Sequence, residues 1–335
     1  MKKIFFAAAL SACVLLPLAA RADVTELKVP LGAGGFGFLP LHIMKQHNLV
    51  EKHAAKLGHT MKVNWSNIGG PSAMIDALLS GSAHFISAGP PSFLILWDRT
   101  KGNANVKGVA AMSSMPMNLN TRAEHLKSID DLRPTDKIAV TSVKSSIPSI
   151  IMQMYAVEKY GKDQAFRFDP YTVTMNHGDA AAALLSGSSG ITGHYASAPL
   201  DQLERKSPGV RSIMNTDTIM GGSTTFTMIS ARADFQQKNP KVFAAFVSAL
   251  KEAQEMIAKD KGAAADTLIE SMGGSSKWSK ADMVELLNDP SIKYTTKPEN
   301  VMKYATFMHQ IGSMKNAPKS IDELFFAGAD VSGGN

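Results

Sequence analysis

Three short stretches carry the residues best suited to chemistry, and that chemistry is binding. Gly32-Ala33-Gly34-Gly35-Phe36-Gly37-Phe38 places four glycines in one loop. Glycines this close bring backbone N–H groups near a ligand and permit positive φ, and Phe36 and Phe38 favour a ligand wall over a bare turn. The spacing is wrong for a dinucleotide fingerprint, and the Gly-Lys-Ser/Thr of a phosphate-binding P-loop is missing. Ser66-Asn67-Ile68-Gly69-Gly70-Pro71-Ser72 combines a Gly-Gly turn, a proline suited to a first helical position and a capping serine. Such a helix N-terminus offers free N–H groups to an anion or a carbonyl oxygen. Ser142-Val143-Lys144-Ser145-Ser146 opens another helix, its serines serving as caps or as ligand donors.

Hydroxyls and helix N-termini can hold a small oxyanion with few Lys or Arg. Lys144 and Arg122 are the basic candidates near these loops, and both read first as surface charges. Phe36, Phe38, Trp65, Tyr195 and Phe226 can instead sandwich a flat heterocycle. Both ligand classes stay open. Catalytic and metal signatures are weak. His42, His47, His53 and His59 are spaced by five and six, not by the i, i+4 of a helical metal site, and no metal or other cofactor is expected. There is no G-x-S-x-G elbow, and the one cysteine, Cys13, lies near the start. No Lys/Arg run or aromatic-interleaved basic stripe points to nucleic acid.

The elements that must position these loops read as α/β. Ala77-Leu78-Leu79-Ser80-Gly81-Ser82 recurs identically as Ala183-Leu184-Leu185-Ser186-Gly187-Ser188. Each copy ends an apolar helical run and leads into a short strand, and a proline-marked helix start follows at Pro90-Pro91 and at Pro199. The separation is too wide for a solenoid repeat and fits two similar lobes. Gly81 and Gly187 are the expected helix-end residues. Strands are expected at Glu26–Val29, Met61–Trp65, Ala83–Ser87 and Val106–Met112, with helices at Leu39–Val50, Ala73–Leu79 and Ser92–Trp97 between them. This is βαβ architecture with a mostly parallel sheet. A second set follows: strands at Lys137–Thr141, Tyr171–Thr174 and Val210–Met214, and a helix from Ile147 to Tyr160. Thr224–Ser230 is extended and is expected to return to the first sheet. From Asn239 onward the texture is helical, with Val242, Phe246, Leu250, Ala253 and Ile257 at helical spacing, and further helices are expected at 261–271, 279–288 and 298–313.

The start of the chain is a leader. Met1-Lys2-Lys3 is a basic n-region, Ile4 to Ala19 is uncharged and apolar, and Ala20-Arg21-Ala22 has the small-x-small form that signal peptidase prefers. Residues 1–22 are therefore expected to be removed, leaving Asp23 first and a mature chain without cysteine. Leu10-Ser11-Ala12-Cys13 satisfies a lipoprotein box, but the apolar core continues past it, so Cys13 reads as part of the leader. The leader carries three basic and no acidic residues, so the net charge of +6 falls to +3 without it.

Assembled in order, these features resemble the periplasmic substrate-binding proteins of ABC importers, the branch handling nitrate, alkylsulfonates, taurine and thiamine-pyrimidine precursors. The residues carrying the resemblance are the leader, Gly34 to Leu41 after the first strand, the unit at 77–87, Ser128-Ile129-Asp130-Asp131-Leu132, His194-Tyr195-Ala196-Ser197-Ala198-Pro199, and Asn239 to Phe246. The resemblance spans nearly the whole mature chain and rests on order and spacing more than on any single motif. It implies a type II two-lobe clamp, each lobe a mixed, mostly parallel sheet flanked by helices, with two crossover hinge strands and a helical C-terminal tail. Lobe 1 is expected at 23–115, lobe 2 at 116–217, and the return crossover with the tail at 218–335, the crossovers falling near Ser113–Thr121 and Thr218–Thr227.

The resemblance also implies a small molecule caught between the lobes and a closed form recognised by a membrane permease with its ATPase, the protein working in the periplasm as a monomer without enzymatic activity. Carried over residue by residue, the cleft is lined by Gly35, Phe36 and Phe38; Ser66, Asn67, Gly70 and Ser72; Ser87, Ala88 and Gly89; and Ser113 at the hinge. The other lobe supplies Ser142, Lys144, Ser145 and Ser146, then His194 and Tyr195, with Thr224 and Thr225 from the return crossover. These are also the loops at the carboxyl ends of strands, where open α/β sheets bind ligands. One departure is His84, which stands where this family often carries an Asp. A pyrimidine-precursor synthase of the same fold is the enzymatic alternative, but its cysteine-rich motif has no counterpart here; a sensing receptor is the other.

Overall fold

Two matching strand arrangements organise the chain: a two-stranded and a three-stranded sheet side by side in one lobe, and a five-stranded sheet in the other. A computed structural model describes residues 23–335 apart from Gly69, Ser188, Ser189, Ser275, Ser276, Ser332, Gly333 and Asn335. The expected leader with Cys13, and Ser188 of the second repeat, lie outside the described residues. The first half runs β1 (Glu26–Pro30), α1 (Leu39–Gln46), α2 (Leu49–Lys56), β2 (Lys62–Ser66), α3 (Pro71–Ser80), β3 (Phe85–Ala88), α4 (Pro90–Thr100) and β4 (Lys107–Ser114). The second runs β5 (Asn118–Thr121), β6 (Ile138–Val140), α5 (Ile147–Tyr160), β7 (Thr172–Thr174), α6 (His177–Ser186), β8 (Gly193–Ala196), α7 (Leu200–Arg205), β9 (Arg211–Asn215) and α8 (Thr216–Met220). Then come β10 (Thr225–Ala231), α9 (Ala233–Lys238), α10 (Pro240–Lys259), α11 (Lys261–Ser271), α12 (Lys280–Leu287), α13 (Val301–Gln310) and α14 (Ile321–Leu324).

In the second sheet the order is β7-β6-β8-β5-β9, with β6 parallel to both β7 and β8 and β5 antiparallel to both neighbours. In the first half β1 pairs parallel with β2, and β10 lies antiparallel between β3 and β4. His84 stitches these two parts together: its N–H donates to the Lys28 carbonyl at 2.9 Å, and its Nδ1 accepts the Lys28 N–H at 3.2 Å. The resulting order β2-β1-β3-β10-β4 matches the second sheet position by position. The repeated hexapeptide closes α3 in one sheet and α6 in the other, with Gly81 and Gly187 as left-handed C-caps at φ 77° and 69°. A β-carbon is disfavoured in that conformation, which is why glycine ends both helices. The chain crosses between the sheets twice: β5 follows β4 into the second sheet, and β10 returns after β9 to lie between β3 and β4.

The helix expected over Leu39–Val50 is broken in two. Asn48 sits in the left-handed region at φ 50° between α1 and α2, a conformation its short polar side chain tolerates better than most. Two large buried clusters and a small one around Leu78, Ile86 and Leu96 hold the molecule. Leu27, Val29, Leu39, Met44, Phe85, Val242, Phe246, Leu250 and Leu268 belong to the first, so α10 to α12 complete the first lobe. The second gathers Leu119, Ile138, Ile150, Ile151 and Tyr195 with Phe93 and Trp97 of α4 and with Tyr304 and Met308 of α13. The helical tail is therefore divided between the lobes, and Phe226 packs against both clusters. Asp23 is fixed too: its Oδ2 accepts the Val242 N–H at 2.9 Å, tying the first described residue to α10.

Candidate functional site

The carboxyl ends of β1, β3 and β4 meet beside one residue, Phe226. Gly37 lies under its ring: a β-carbon there would sit 2.4 Å from the Phe226 Cε1. The Gly37 carbonyl accepts from the Thr227 hydroxyl at 2.7 Å and the Ser113 hydroxyl at 3.2 Å, and these two hydroxyls are 2.6 Å apart. Gly89 touches both lobes, since a β-carbon there would be 3.2 Å from Ile147 Cδ1 and 3.3 Å from the Phe226 carbonyl. Beside it the Ser92 hydroxyl of α4 donates to the Ser145 carbonyl at 2.9 Å. Lys206 of α7 and Asp282 of α12, 3.5 Å apart and exposed, form a second link between the halves, one of little energetic weight.

The glycine loop is positioned from far along the chain. Gly35 is at φ 78°, and its N–H donates to the Ser271 hydroxyl at 3.3 Å. The Phe36 carbonyl accepts from the Tyr294 hydroxyl at 3.0 Å. Part of the loop's donor capacity is thus used within the protein. Phe36 is buried in the first core, while Phe38, Trp65 and Phe226 are half-buried against it. Among the loops after β2 and β3, Asn67, Gly70 and Ser72 are exposed, Ser66 is half-buried, and Ser87 and Ala88 are buried in β3. The Ser87 hydroxyl is buried without a hydrogen-bond partner.

At the N-terminus of α5 the serines bond to one another. Ser142 and Ser145 hydroxyls are 2.6 Å apart, Ser146 and Ser149 hydroxyls 3.1 Å, and Ser149 donates to the Ser142 carbonyl at 3.1 Å. Ser146 is the N-cap residue but makes no side-chain cap bond. Lys144 is exposed, at φ 66°. Thr224 and Thr225 are buried; the Thr225 hydroxyl accepts the Glu299 N–H at 2.8 Å.

His194 and Tyr195 stand within β8, not in a loop, and both are buried. The Tyr195 hydroxyl donates to the Met214 sulfur at 2.6 Å, and burial pushes its phenol above the ordinary range. His194 Nδ1 lies 2.6 Å from Glu204 Oε1, and its Nε2 lies 2.9 Å from Nδ1 of His177. His177, the first residue of α6, was not among the residues expected from the sequence. It follows the carboxyl end of β7 as Ser72 follows that of β2, so it occupies the matching place in the second lobe. Asn176 caps the same helix by accepting the Asp179 N–H at 2.9 Å. Only the spatial pairing with His194 marks His177, since nothing in its local sequence sets it apart. Among the described residues no group of three or more His, Cys, Asp or Glu is placed to hold a metal ion.

Together these loops form a polar junction of two α/β lobes. The fold is that of the periplasmic binding proteins. No family model matches the chain, and no curated protein is similar to it. Among solved structures it is similar to the alkanesulfonate-binding protein of Xanthomonas axonopodis pv. citri bound to MOPS, at 16% identity and a TM-score of 0.67, over 92% of this chain and 98% of that one. The periplasmic nitrate-binding protein of Synechocystis matches at 16% identity and a TM-score of 0.65, over 90% and 84%. A Candida albicans protein described as having the generic periplasmic binding protein fold matches at 13% identity and a TM-score of 0.62, over 90% and 96%.

Proposed function

We propose that this protein is the solute-binding component of an ABC import system, exported to the periplasm, where it captures a small anion of the sulfonate or nitrate type between its lobes and delivers it to a membrane permease. The observation that carries this reading is the matching strand order in the two halves, β2-β1-β3-β10-β4 and β7-β6-β8-β5-β9, with two crossings of the chain between them and the carboxyl ends of β1, β3 and β4 meeting beside Phe226. A ligand touching both lobes favours the state in which they are closed, because only that state offers it both sets of contacts.

The anion is favoured over a flat heterocycle by what the junction offers. Phe36 and Tyr195 are committed to the cores, which leaves three half-buried rings, Phe38, Trp65 and Phe226. The N-termini of α3 and α5 carry no side-chain caps, so their N–H groups remain for a ligand. Two structural neighbours are named for binding sulfonate and nitrate. The chain acts by binding and not by turnover, as a monomer.

The test is a thermal-shift panel of nitrate, alkanesulfonates and aminopyrimidines on the chain from Asp23. One anion is expected to raise the melting temperature by several degrees through linkage. Turnover of a panel compound without stoichiometric binding would overturn the transport reading. A shift with an aminopyrimidine alone would overturn the ligand class.

A further inference from the structure

We propose that Asn300 and Lys303, at the start of α13, form a clamp across the Gly221-Gly222 pair of the second crossover, and that this clamp holds the lobes in the state where they touch. This rests on the reading that the lobes close on a ligand, and it adds which residues set the balance between open and closed before any ligand is present.

The two crossovers are fastened to each other at both ends. On the side of the first lobe, Ser114 of β4 faces Thr225 of β10. On the side of the second, the Thr216 N–H donates to the Met117 carbonyl at 3.0 Å, and the Met117 N–H donates to the Thr216 hydroxyl at 2.9 Å. Between these points the first crossover consists of Met115 and Pro116, and proline fixes its own φ. The second has α8 and then Gly221 and Gly222, at φ 69° and 151°. Glycine takes such angles without strain, so a change of lobe angle falls mainly on this pair.

Both sides of the glycine pair are held by one turn of α13. Lys303 Nζ donates to the Met220 carbonyl, just before the pair, at 2.8 Å, and reaches the Ile219 carbonyl at 3.4 Å. Asn300 Nδ2 donates to the Ser223 carbonyl, just after the pair, at 2.8 Å. A lysine on the last carbonyls of a helix is ordinary capping, here of α8. Asn300 is used differently. It is the N-cap residue of α13, yet its side chain makes no cap bond to its own helix, and its backbone is left-handed at φ 57°. Its amide holds the crossover in place of the N–H groups it would normally cap. The residue before it strengthens the attachment. The Thr225 N–H donates to the Glu299 carbonyl at 3.0 Å, and the Ser223 hydroxyl donates to Glu299 Oε2 at 2.8 Å.

The helix that carries the clamp is braced by both lobes. Val301, Tyr304 and Met308 of α13 are buried in the second cluster, where the helix packs on α5 of the second lobe and on α4 of the first. Beyond it, the Asp98 carboxylate of α4 accepts the Asn316 N–H at 2.8 Å and the Lys315 N–H at 3.0 Å. Rotation about the glycines changes the distance between the Met220 and Ser223 carbonyls, and two donors fixed on one helix cannot follow both. The two bonds are made in a state in which Ser92 bonds to the second lobe and Gly89 packs against it, so they favour contact between the lobes. A larger closed fraction in the empty protein raises apparent ligand affinity in proportion.

Single-molecule fluorescence transfer on the empty chain from Asp23 measures the balance with no ligand present. The one cysteine, Cys13, precedes Asp23, so Lys52→Cys on α2 and Asp163→Cys beyond α5 place dyes at exposed positions of the two lobes. Asn300→Gly removes the amide and tolerates the left-handed backbone; Lys303→Met keeps the stem and removes the donor. Each is expected to raise the ratio of open to closed molecules about fivefold, the weight of one hydrogen bond. Lys297→Met, at an exposed position on the approach to α13, is expected to leave it unchanged. Melting temperatures check that every variant folds. An unchanged distance distribution with a lower melting temperature assigns the pair to the scaffold and overturns the clamp. A shift toward the closed state, or an equal shift with Lys297→Met, overturns it as well. Each of these results leaves ligand capture standing, because no ligand takes part. Failure of every compound in the thermal-shift panel, with the fivefold response intact, removes ligand capture and leaves the clamp.

Discussion

The Ser92 hydroxyl, in the first turn of α4, donates to the Ser145 carbonyl at the start of α5 at 2.9 Å. One lobe thus holds the backbone of the other through a single buried side chain. A bond of this kind contributes about 1 kcal/mol, equivalent to about a fivefold change in an equilibrium. Ser92→Ala is therefore expected to raise the open population about fivefold. Fluorescence transfer between probes on the two lobes measures it, and an unchanged distribution would show that the bond survives opening.

Gly37 has no room for a side chain. The Phe226 ring would have to move away from a β-carbon placed 2.4 Å from it. Overpacking of this sort costs about 1–3 kcal/mol. Gly37→Ala should lower the urea midpoint accordingly, and adding Phe226→Leu should recover part of the loss. If the double variant is no more stable than Gly37→Ala, the ring is not the cause.

Ser87 offers a cleaner test of the binding site. Its hydroxyl is buried and unpartnered, so Ser87→Ala breaks no bond and should leave the stability of the empty protein the same or slightly higher. If the hydroxyl contacts ligand, affinity for the best panel compound should fall by about fivefold to tenfold. A loss of stability with unchanged affinity would assign Ser87 to the scaffold.

Two histidines contribute to the acid side of the stability profile. Burial, with Lys45 nearby, pushes His42 down to about 4, and burial also lowers His84. Both imidazoles protonate more readily in the unfolded chain, near pH 6.5. Their contribution is complete above about 6.5 and is lost as the pH falls toward 4. Asp217, raised to about 6 by burial, works in the opposite sense between about 4 and 6. Since His42 Nε2 is buried without a partner, His42→Leu is expected to stabilise the protein, more at pH 5 than at pH 7.5. Equal increments at the two values would rule out the titration.

Much of the scaffold was legible because it is local. The helix over Ile147–Tyr160 and the one over 261–271 follow from apolar spacing and flanking caps, and the return of Thr224–Ser230 to the first sheet follows from its extended, β-branched texture. The break at Asn48 was missed because both faces of the run are apolar enough for one helix. The site was less legible because its supports are distant. Ser271 and Tyr294 reach the glycine loop from the helical tail, which shows no chemical pattern of its own. His194 reads from the sequence as a residue at a loop mouth, yet its buried contacts are Glu204 and His177, which no spacing rule links to it. His84 stands where the resembling family often carries an Asp, and its imidazole Nδ1 accepts a backbone N–H of β1 while its own N–H donates back.

The insertion of β10 bears on the order in which the protein can be made. β10 fills the gap between β3 and β4, but it leaves the ribosome only after the whole second lobe. Until then the facing edges of β3 and β4 stay open, and an open edge invites pairing with another chain. Pairing across such a long sequence separation is also slow. The gap between β3 and β4 therefore cannot be filled until residue 231 has been made.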